Sequence, residues 1–220
     1  MTFTYNAKNH TGGITPFGGS IIPMYYTRTM QTQRVSAGSK DFTDSLLGLN
    51  REVNGSTSTY FTRDEQGQLL AERIGGSSYY YLFDAQGNVA ALTDHDFTPG
   101  TVVNTYRYDP CGRTIASTGS VANPYRYGGA YGAYTDSHTG LIKMGARYYQ
   151  PIFGSWSQQD FLAANFGSPT TLNRYAYSGC NAVNFSDPSG LDFLGLDLDD
   201  WTAAFGFAGG VCGAAALAAA

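Results

Sequence analysis

Hydrophobic and polar residues alternate along much of this chain, with the period of two that is typical of a β-strand with one buried face. In the segment Ser78–Phe83, the aromatic side chains of Tyr79, Tyr81 and Phe83 fall on one face. The segment 101–108 shows the same alternation, and one of its faces carries Val102, Asn104, Tyr106 and Tyr108. Both segments are therefore predicted to be strands of antiparallel hairpins.

The strands belong to an internal repeat in which a strand, an Asp-x-x-Gly sequence and a second strand follow one another. Its three copies contain Asp64 and Gly67, Asp84 and Gly87, and Asp109 and Gly112. An aspartate at the first position of a type I turn accepts backbone hydrogen bonds, and glycine is favoured at the fourth position. Each copy is therefore predicted to be a hairpin of about 20 residues, and because one hairpin cannot bury its own face, neighbouring hairpins must stack.

Four regions of different composition define the predicted domain organisation. Residues 1–59 are predicted to form degenerate N-terminal strands, 60–122 the repeat hairpins, 123–191 a motif-rich core and 192–220 a variable tail rich in Ala and Gly. Within the core, Thr170–Tyr177 is predicted to form a short helix that places Leu172 and Tyr175 on one face.

Targeting signals differ between the two ends of the chain: none is predicted at the N-terminus, and a membrane role stays open for the C-terminal segment. No basic segment followed by an apolar one occurs at the N-terminus, so no signal peptide is predicted. The last twenty residues, Trp201–Ala220, carry no charge and have the length of a membrane-spanning helix. Three interpretations of this segment stay open: a buried helix or hairpin packed on the core, the beginning of a longer effector domain, or a segment that contacts and enters a membrane.

Composition narrows the function classes that this fold can serve. The chain has 220 residues, a net charge of −4 and only 14% charged residues, which argues against a nucleic-acid partner. Its 28 glycines and 17 tyrosines favour many short strands joined by tight turns. The cysteines, Cys111, Cys180 and Cys212, lie far apart, and the histidines are isolated, so neither a metal site nor a cofactor is predicted.

Five motifs follow the repeats between residues 123 and 191. They are Asn123–Gly129 (NPYRYGG), Thr139–Pro151 (TGLIKMGARYYQP), Gly154–Asp160 (GSWSQQD), Asn173–Gly179 (NRYAYSG) and Asn181–Leu191 (NAVNFSDPSGL). In order and spacing, the repeats and motifs resemble the YD repeats and the repeat-associated core domain of the RHS (rearrangement hotspot) family. The resemblance covers residues 60–191.

The resemblance implies a mainly β fold, in which stacked antiparallel YD-repeat hairpins form a shell or solenoid-like structure and lead into an RHS core with one or two short helices. In the family, the core plugs a hollow shell, and the polypeptide after it is variable and often toxic. The resemblance also implies secretion or display at the cell surface as part of a larger system. The implied partners are an upstream RHS shell and the chain's own C-terminal tail.

Self-cleavage next to the final leucine of the motif occurs in several members of the family and would here break the Leu191–Asp192 bond. The family's cleavage residues correspond to Asp160, Asp187 and Arg147. Two close carboxyl groups share one proton, so that one activates water while the other polarises the carbonyl, and a guanidinium group stabilises the developing charge. This chain departs from the family pattern at Phe161, which stands where the family has proline.

Structural roles for the same residues stay open. Asp187 and Gly190 frame an Asp-Pro-Ser-Gly sequence that also suits a plain type I turn, as in the repeats. Asp160 suits a surface turn or a helix cap, and Arg147 suits stacking on Tyr148 or Tyr149 or pairing with a carboxylate. The alternative function is a non-catalytic cell-surface β scaffold that binds a carbohydrate or a protein partner through exposed tyrosines.

Overall fold

Two antiparallel sheets make up the fold. The computed structural model describes residues 1–6, 9–27, 33–94, 100–160, 172–183 and 185–191. Within these ranges, the larger sheet has twelve strands in sequence order: β1 (Thr2–Tyr5), β2 (Thr11–Thr15), β3 (Ile22–Tyr26), β4 (Arg34–Ala37), β5 (Lys40–Ser45), β6 (Gly48–Asn54), β7 (Thr57–Arg63), β8 (Leu69–Ile74), β9 (Ser77–Phe83), β10 (Val89–Thr93), β11 (Val102–Tyr108) and β12 (Thr114–Thr118). The smaller sheet has four: β13 (Tyr134–Thr135), β14 (Ile142–Met144), β15 (Arg147–Gln150) and β16 (Ser155–Trp156). The predicted fold of stacked antiparallel hairpins is confirmed.

The three repeat turns share one hydrogen-bond pattern. In the first, Oδ1 of Asp64 accepts bonds from the backbone N–H groups of Gln66 at 3.0 Å and Gln68 at 2.8 Å. Asp84 and Asp109 accept the equivalent pairs of bonds. In each repeat the strand register then shifts at the third residue after the turn glycine, which is typical of a β-bulge.

The larger sheet is buried on one face only. Its buried face includes Ile14, Phe42, Phe61, Leu69, Tyr81, Val89, Leu92 and Tyr106. Its outer face leaves large side chains exposed, among them Tyr25, Tyr60, Leu70 and Leu82. Val102, predicted to share the face of Tyr106, is instead exposed, because the register between β10 and β11 shifts at the pair Thr93–Val102.

Described residues after β12 pack against the buried face of the larger sheet. The segment 123–191 is called the plug here. Tyr125, Tyr134, Leu141 and Tyr148 of the plug join the core of the larger sheet. A second hydrophobic cluster inside the plug contains Tyr127, Ala133, Ile142, Met144, Tyr149, Trp156 and Tyr177. The plug thus has a core of its own and also completes the core of the repeats.

The predicted helix over Thr170–Tyr177 is wrong for the residues that the structure describes. Ala176 forms a β-bridge with Ser155, and the carbonyl oxygen of Tyr175 accepts a bond from the backbone N–H of Trp156 at 2.9 Å. Leu172 and Tyr175 are both exposed, so no apolar face was available to stabilise a helix. Short 3-10 turns occur instead at Gly129–Tyr131 and Ser178–Cys180.

The open interpretations of Trp201–Ala220 concern residues outside the described ranges. No helix within those ranges is long and apolar enough to cross a bilayer. The described part of the chain also holds no cluster of three or more metal-ligating side chains, and its two cysteines, Cys111 and Cys180, are free thiols.

Candidate active site

Arg147 is the centre of a buried charge cluster in the plug. It begins β15, and its side chain is 2% exposed. Its guanidinium Nη1 lies 2.7 Å from Oδ2 of Asp160, and Nη2 lies 3.1 Å from Oδ2 of Asp187. Its Nε donates a hydrogen bond of 2.6 Å to the carbonyl oxygen of Gly190. One side chain therefore holds both predicted acids and the backbone next to the predicted cleavage bond.

The flat side of the guanidinium is covered by an indole ring. The carbon Cζ of Arg147 lies 4.3 Å from the centre of the Trp156 ring, which is 2% exposed. A cation over an indole is attracted to the ring face, and a planar guanidinium in this position keeps its in-plane N–H groups free for carboxylates. Stacking therefore fixes the plane in which Arg147 reaches Asp160 and Asp187.

Asp187 combines a turn geometry with deep burial. Its Oδ1 accepts bonds from the hydroxyl of Ser189 at 2.8 Å and from the backbone N–H of Gly190 at 2.9 Å. Only 1% of its side chain is exposed, in contrast to the repeat aspartates, whose turns lie near the surface. Burial raises the pKa of Asp187 to about 6, although Arg147 and the hydrogen bonds of Ser189 and Gly190 act in the opposite direction.

Asp160 is held from the backbone side. Its N–H donates a 2.9 Å bond to the carbonyl oxygen of Arg174, and the guanidinium of Arg174 donates a bond to the carbonyl oxygen of Asp160. Its side chain is 24% exposed, so water reaches this carboxylate but not Asp187. Phe161 lies outside the described residues.

The segment that carries Asp187 rests directly on the turn between β14 and β15. The N–H of Ala146 donates a 2.8 Å bond to the carbonyl oxygen of Ser189. A Cβ atom on Gly145 would lie 1.7 Å from that oxygen, and one on Gly190 would lie 2.3 Å from the carbonyl oxygen of Met144. The two backbones therefore approach so closely that only glycine fits at both positions.

The predicted cleavage position is described up to its first residue. The N–H of Leu191 donates a 3.1 Å bond to the hydroxyl of Ser189, and Asp192 lies outside the described residues. The structure thus brings Arg147, Asp160, Asp187 and the backbone of Gly190 together. It places the turn residues of the three repeats elsewhere, in the hairpins of the larger sheet.

Sequence reasoning missed four contributors to this cluster. They are Trp156, which stacks on Arg147; Arg174, which anchors Asp160; Ser189, which bonds Asp187; and Gly145, which receives the backbone of Ser189. All four lie inside the motifs that carry the family resemblance. Motif membership was therefore the available signal, but their roles depend on contacts between distant segments.

Comparison with known proteins gives a consistent family assignment. A family model described as the teneurin YD-shell matches residues 49–183. The tRNA3(Ser)-specific nuclease WapA of Bacillus spizizenii is 34% identical over 151 residues, and the tRNA nuclease WapA of Bacillus subtilis strain 168 is 36% identical over 151 residues. Each match covers 67% of this chain and 6% of the relative, so the chain spans a small part of the length of these proteins.

Solved structures show the same fold. The Photorhabdus luminescens Tc holotoxin pore, with a mutated TccC3, matches 89% of this chain and 9% of its own at 19% identity and a TM-score of 0.52. The TcdB2-TccC3-Cdc42 structure matches 86% of this chain and 10% of its own at 18% identity and a TM-score of 0.61. Repeats, plug and family match together show that the chain belongs to the YD-shell family, that is, to the RHS and YD-repeat proteins.

Proposed function

We propose that this chain is the C-terminal shell-and-plug segment of an RHS-type polymorphic toxin or surface protein and that it cleaves itself between Leu191 and Asp192. The observation that carries the proposal is that Arg147 forms ion pairs with both Asp160 and Asp187 and a hydrogen bond with the carbonyl oxygen of Gly190. The repeat aspartates form the same kind of turn without a buried arginine, whereas Arg147 pairs with two carboxylates at once. Cleavage would release residues 192–220.

The environments of the two acids suggest different roles. Asp160 is partly exposed and ion-paired, so it acts as the carboxylate that takes a proton from water. Asp187 is buried with a pKa of about 6, so it is the acid that holds a proton and donates a hydrogen bond to the carbonyl oxygen of Leu191. The oxygen of that water adds to the carbonyl carbon of Leu191, and Asp160 passes the proton it took to the amide nitrogen of Asp192 as the C–N bond breaks.

The edge of the larger sheet at β1 suggests what kind of partner this chain binds. Strand β1 pairs only with β2 among the described residues, so its outer edge offers N–H and C=O groups to another strand. An upstream shell of further repeats is the partner of matching chemistry. Two of the similar solved structures are described as TcdB2-TccC3, and one of these structures is described as being without the hypervariable C-terminal region. Membership of the RHS and YD-repeat family also supports secretion or cell-surface display as part of a larger system.

The test is the intact mass of the full 220-residue chain after purification and incubation, beside the variants Asp187→Asn and Asp160→Asn. Wild type is expected to give two products, one of which is the 29-residue tail 192–220, because both acids are in place. Each variant is expected to remain intact, with a loss of cleavage rate of about 100-fold or more. Cleavage of wild type is expected to be faster at pH 5 than at pH 8, since Asp187 must hold its proton.

Asp109→Asn is the matched control. It changes an aspartate in the same kind of turn, outside the Arg147 cluster, and is expected to leave cleavage unchanged. A wild-type chain that keeps its full mass over this pH range would overturn self-cleavage and leave the non-catalytic β scaffold as the function. Cleavage that persists in Asp187→Asn would overturn the assignment of that residue.

A further inference from the structure

Lys143 is a buried cation that the cleavage chemistry does not use. It lies in β14, in the plug, and its Nζ donates a hydrogen bond to the carbonyl oxygen of Gly145. Its Nζ is also 5.9 Å from the ring centres of Tyr26 and Tyr148. A hydrogen bond from a charged donor is stronger than one between neutral groups, so the charge of Lys143 strengthens its hydrogen bond to Gly145.

Gly145 is the residue on which the Asp187 segment rests. It has no room for a Cβ atom, because the carbonyl oxygen of Ser189 would lie 1.7 Å away. The next residue, Ala146, donates its N–H to that same oxygen at 2.8 Å. Lys143 and Ser189 therefore contact the same turn, Lys143 at the carbonyl oxygen of Gly145 and Ser189 at the N–H of Ala146.

We propose that Lys143 is a positioning residue, whose ammonium group holds the turn 144–147 in the shape that receives Ser189 and Gly190 and thereby sets the position of Asp187 and of the bond to be cleaved. This inference rests on the proposed function. Lys143 reaches the Asp187 segment through the backbone of the turn.

The charges around Lys143 come from the larger sheet. In the described part of the chain, the rings of Tyr26 on β3 and Tyr148 on β15 lie near it, and Arg34 on β4 and Asp44 on β5 act on its charge. Burial and then Arg34 lower the pKa of Lys143 to about 7, while Asp44 acts in the opposite direction. As the pH rises above 7, the ammonium loses its proton and its hydrogen bond to Gly145 weakens. The turn then holds the Asp187 segment less firmly.

The experiment is hydrogen exchange at the N–H of Ala146 in the full chain, at pH 6 and pH 8, for wild type and Lys143→Met. After correction for the intrinsic pH dependence of exchange, we expect about tenfold faster exchange in Lys143→Met at pH 6. Wild type is expected to approach the variant at pH 8. The N–H of Gly112, which bonds Asp109 in a repeat turn, serves as the internal reference and is expected to stay unchanged.

Lys40→Met is the matched control, because Lys40 is also buried but pairs with Glu52 and Tyr134, away from the turn. Equal exchange at Ala146 in wild type and Lys143→Met, or equal acceleration in Lys40→Met, overturns the proposal. Where wild type cleaves, Lys143→Met is also expected to cleave about tenfold more slowly at pH 6. A wild type that never cleaves overturns the proposed function alone, since the exchange measurement still decides the role of Lys143.

Discussion

At the scale of single residues, the interior of this β fold holds acids as well as tyrosines. Glu72 on β8 is 1% exposed; its Oε2 accepts a 2.7 Å bond from the hydroxyl of Tyr81, and its Oε1 has no hydrogen-bond partner among the described residues. Burial raises the pKa of Glu72 to about 8, Glu52 adds to the rise, and the bond from Tyr81 opposes it. A carboxyl group in this position is easier to bury protonated than ionised.

The consequence is a pH dependence of stability with a defined sign. The folded chain keeps the Glu72 proton up to about pH 8, whereas the unfolded chain releases it near pH 4.5, so the free energy of unfolding falls as the pH rises between these values. Glu72→Gln removes this contribution and is expected to stabilise the chain at pH 8 by about 1–3 kcal/mol, with a smaller effect at pH 5. Urea unfolding at the two pH values measures the difference.

Glu65→Gln is the control for this prediction, because Glu65 is exposed in the first repeat turn. It is expected to change stability by less than about 0.5 kcal/mol at either pH. A Glu72→Gln variant that is destabilised equally at pH 5 and pH 8 would show that the carboxyl group is not held protonated.

At the scale of elements, the repeat turns both reverse the chain and support the plug. A Cβ atom on Gly112 would lie 2.5 Å from the ring of Tyr127, and one on Gly87 would lie 2.6 Å from the ring of Tyr131. The carbonyl oxygen of Gly87 accepts a 3.0 Å bond from the N–H of Ala130. Glycine in the Asp-x-x-Gly turn therefore serves the close approach of plug aromatics as well as the positive φ.

Gly112→Ala separates these two demands when it is compared with Gly75→Ala. Both glycines have positive φ, +83° and +57°, but nothing lies within 4 Å of a Cβ atom on Gly75. We expect Gly75→Ala to lower the free energy of unfolding by about 1 kcal/mol and Gly112→Ala by about 2–4 kcal/mol, since only the latter displaces a ring. Denaturant unfolding checks both, and equal losses would show that backbone conformation alone selects the glycine.

At the scale of the whole molecule, the larger sheet and the plug supply hydrogen-bond partners to each other's buried polar groups. The hydroxyl of Tyr134, in the plug, accepts a 2.9 Å bond from Lys40 and donates a 2.8 Å bond to Glu52, both in the sheet. Arg34 of the sheet likewise donates a 2.9 Å bond to the hydroxyl of Tyr148. The plug thus supplies further hydrogen-bond partners to buried charged groups of the sheet, beside the ion pair that Lys40 and Glu52 form within the sheet.

Tyr134→Phe tests this dependence by the loss of one oxygen atom. We expect the free energy of unfolding to fall by about 1–3 kcal/mol, because Lys40 and Glu52 each lose a buried partner. Tyr25→Phe, on the exposed outer face, is expected to change it by less than about 0.5 kcal/mol. Chemical denaturation followed by tyrosine fluorescence compares the variants, and equal stability of Tyr134→Phe and wild type would contradict the interlocking of sheet and plug.

The amino-acid sequence determined the hairpins by itself, because their signals are local. Asp64, Asp84 and Asp109 bond backbone groups two and four residues further along, and the alternation of their flanking strands needs only the next strand. Resemblance of the motifs to the RHS family named Arg147, Asp160 and Asp187 as a set.

Only the tertiary structure decided how these parts meet. Arg147 and Asp187 are 40 residues apart, and their contact depends on Trp156 under the guanidinium and on the close approach of Gly145 to Ser189. The segment before Tyr177 pairs with β16 instead of forming a helix, because a strand partner satisfied its backbone and no apolar face favoured a helix. Neighbouring residues determine the chemistry of a turn. Burial, and with it the protonation of Asp187 and Lys143, depends on distant segments that meet only when the plug packs on the sheet.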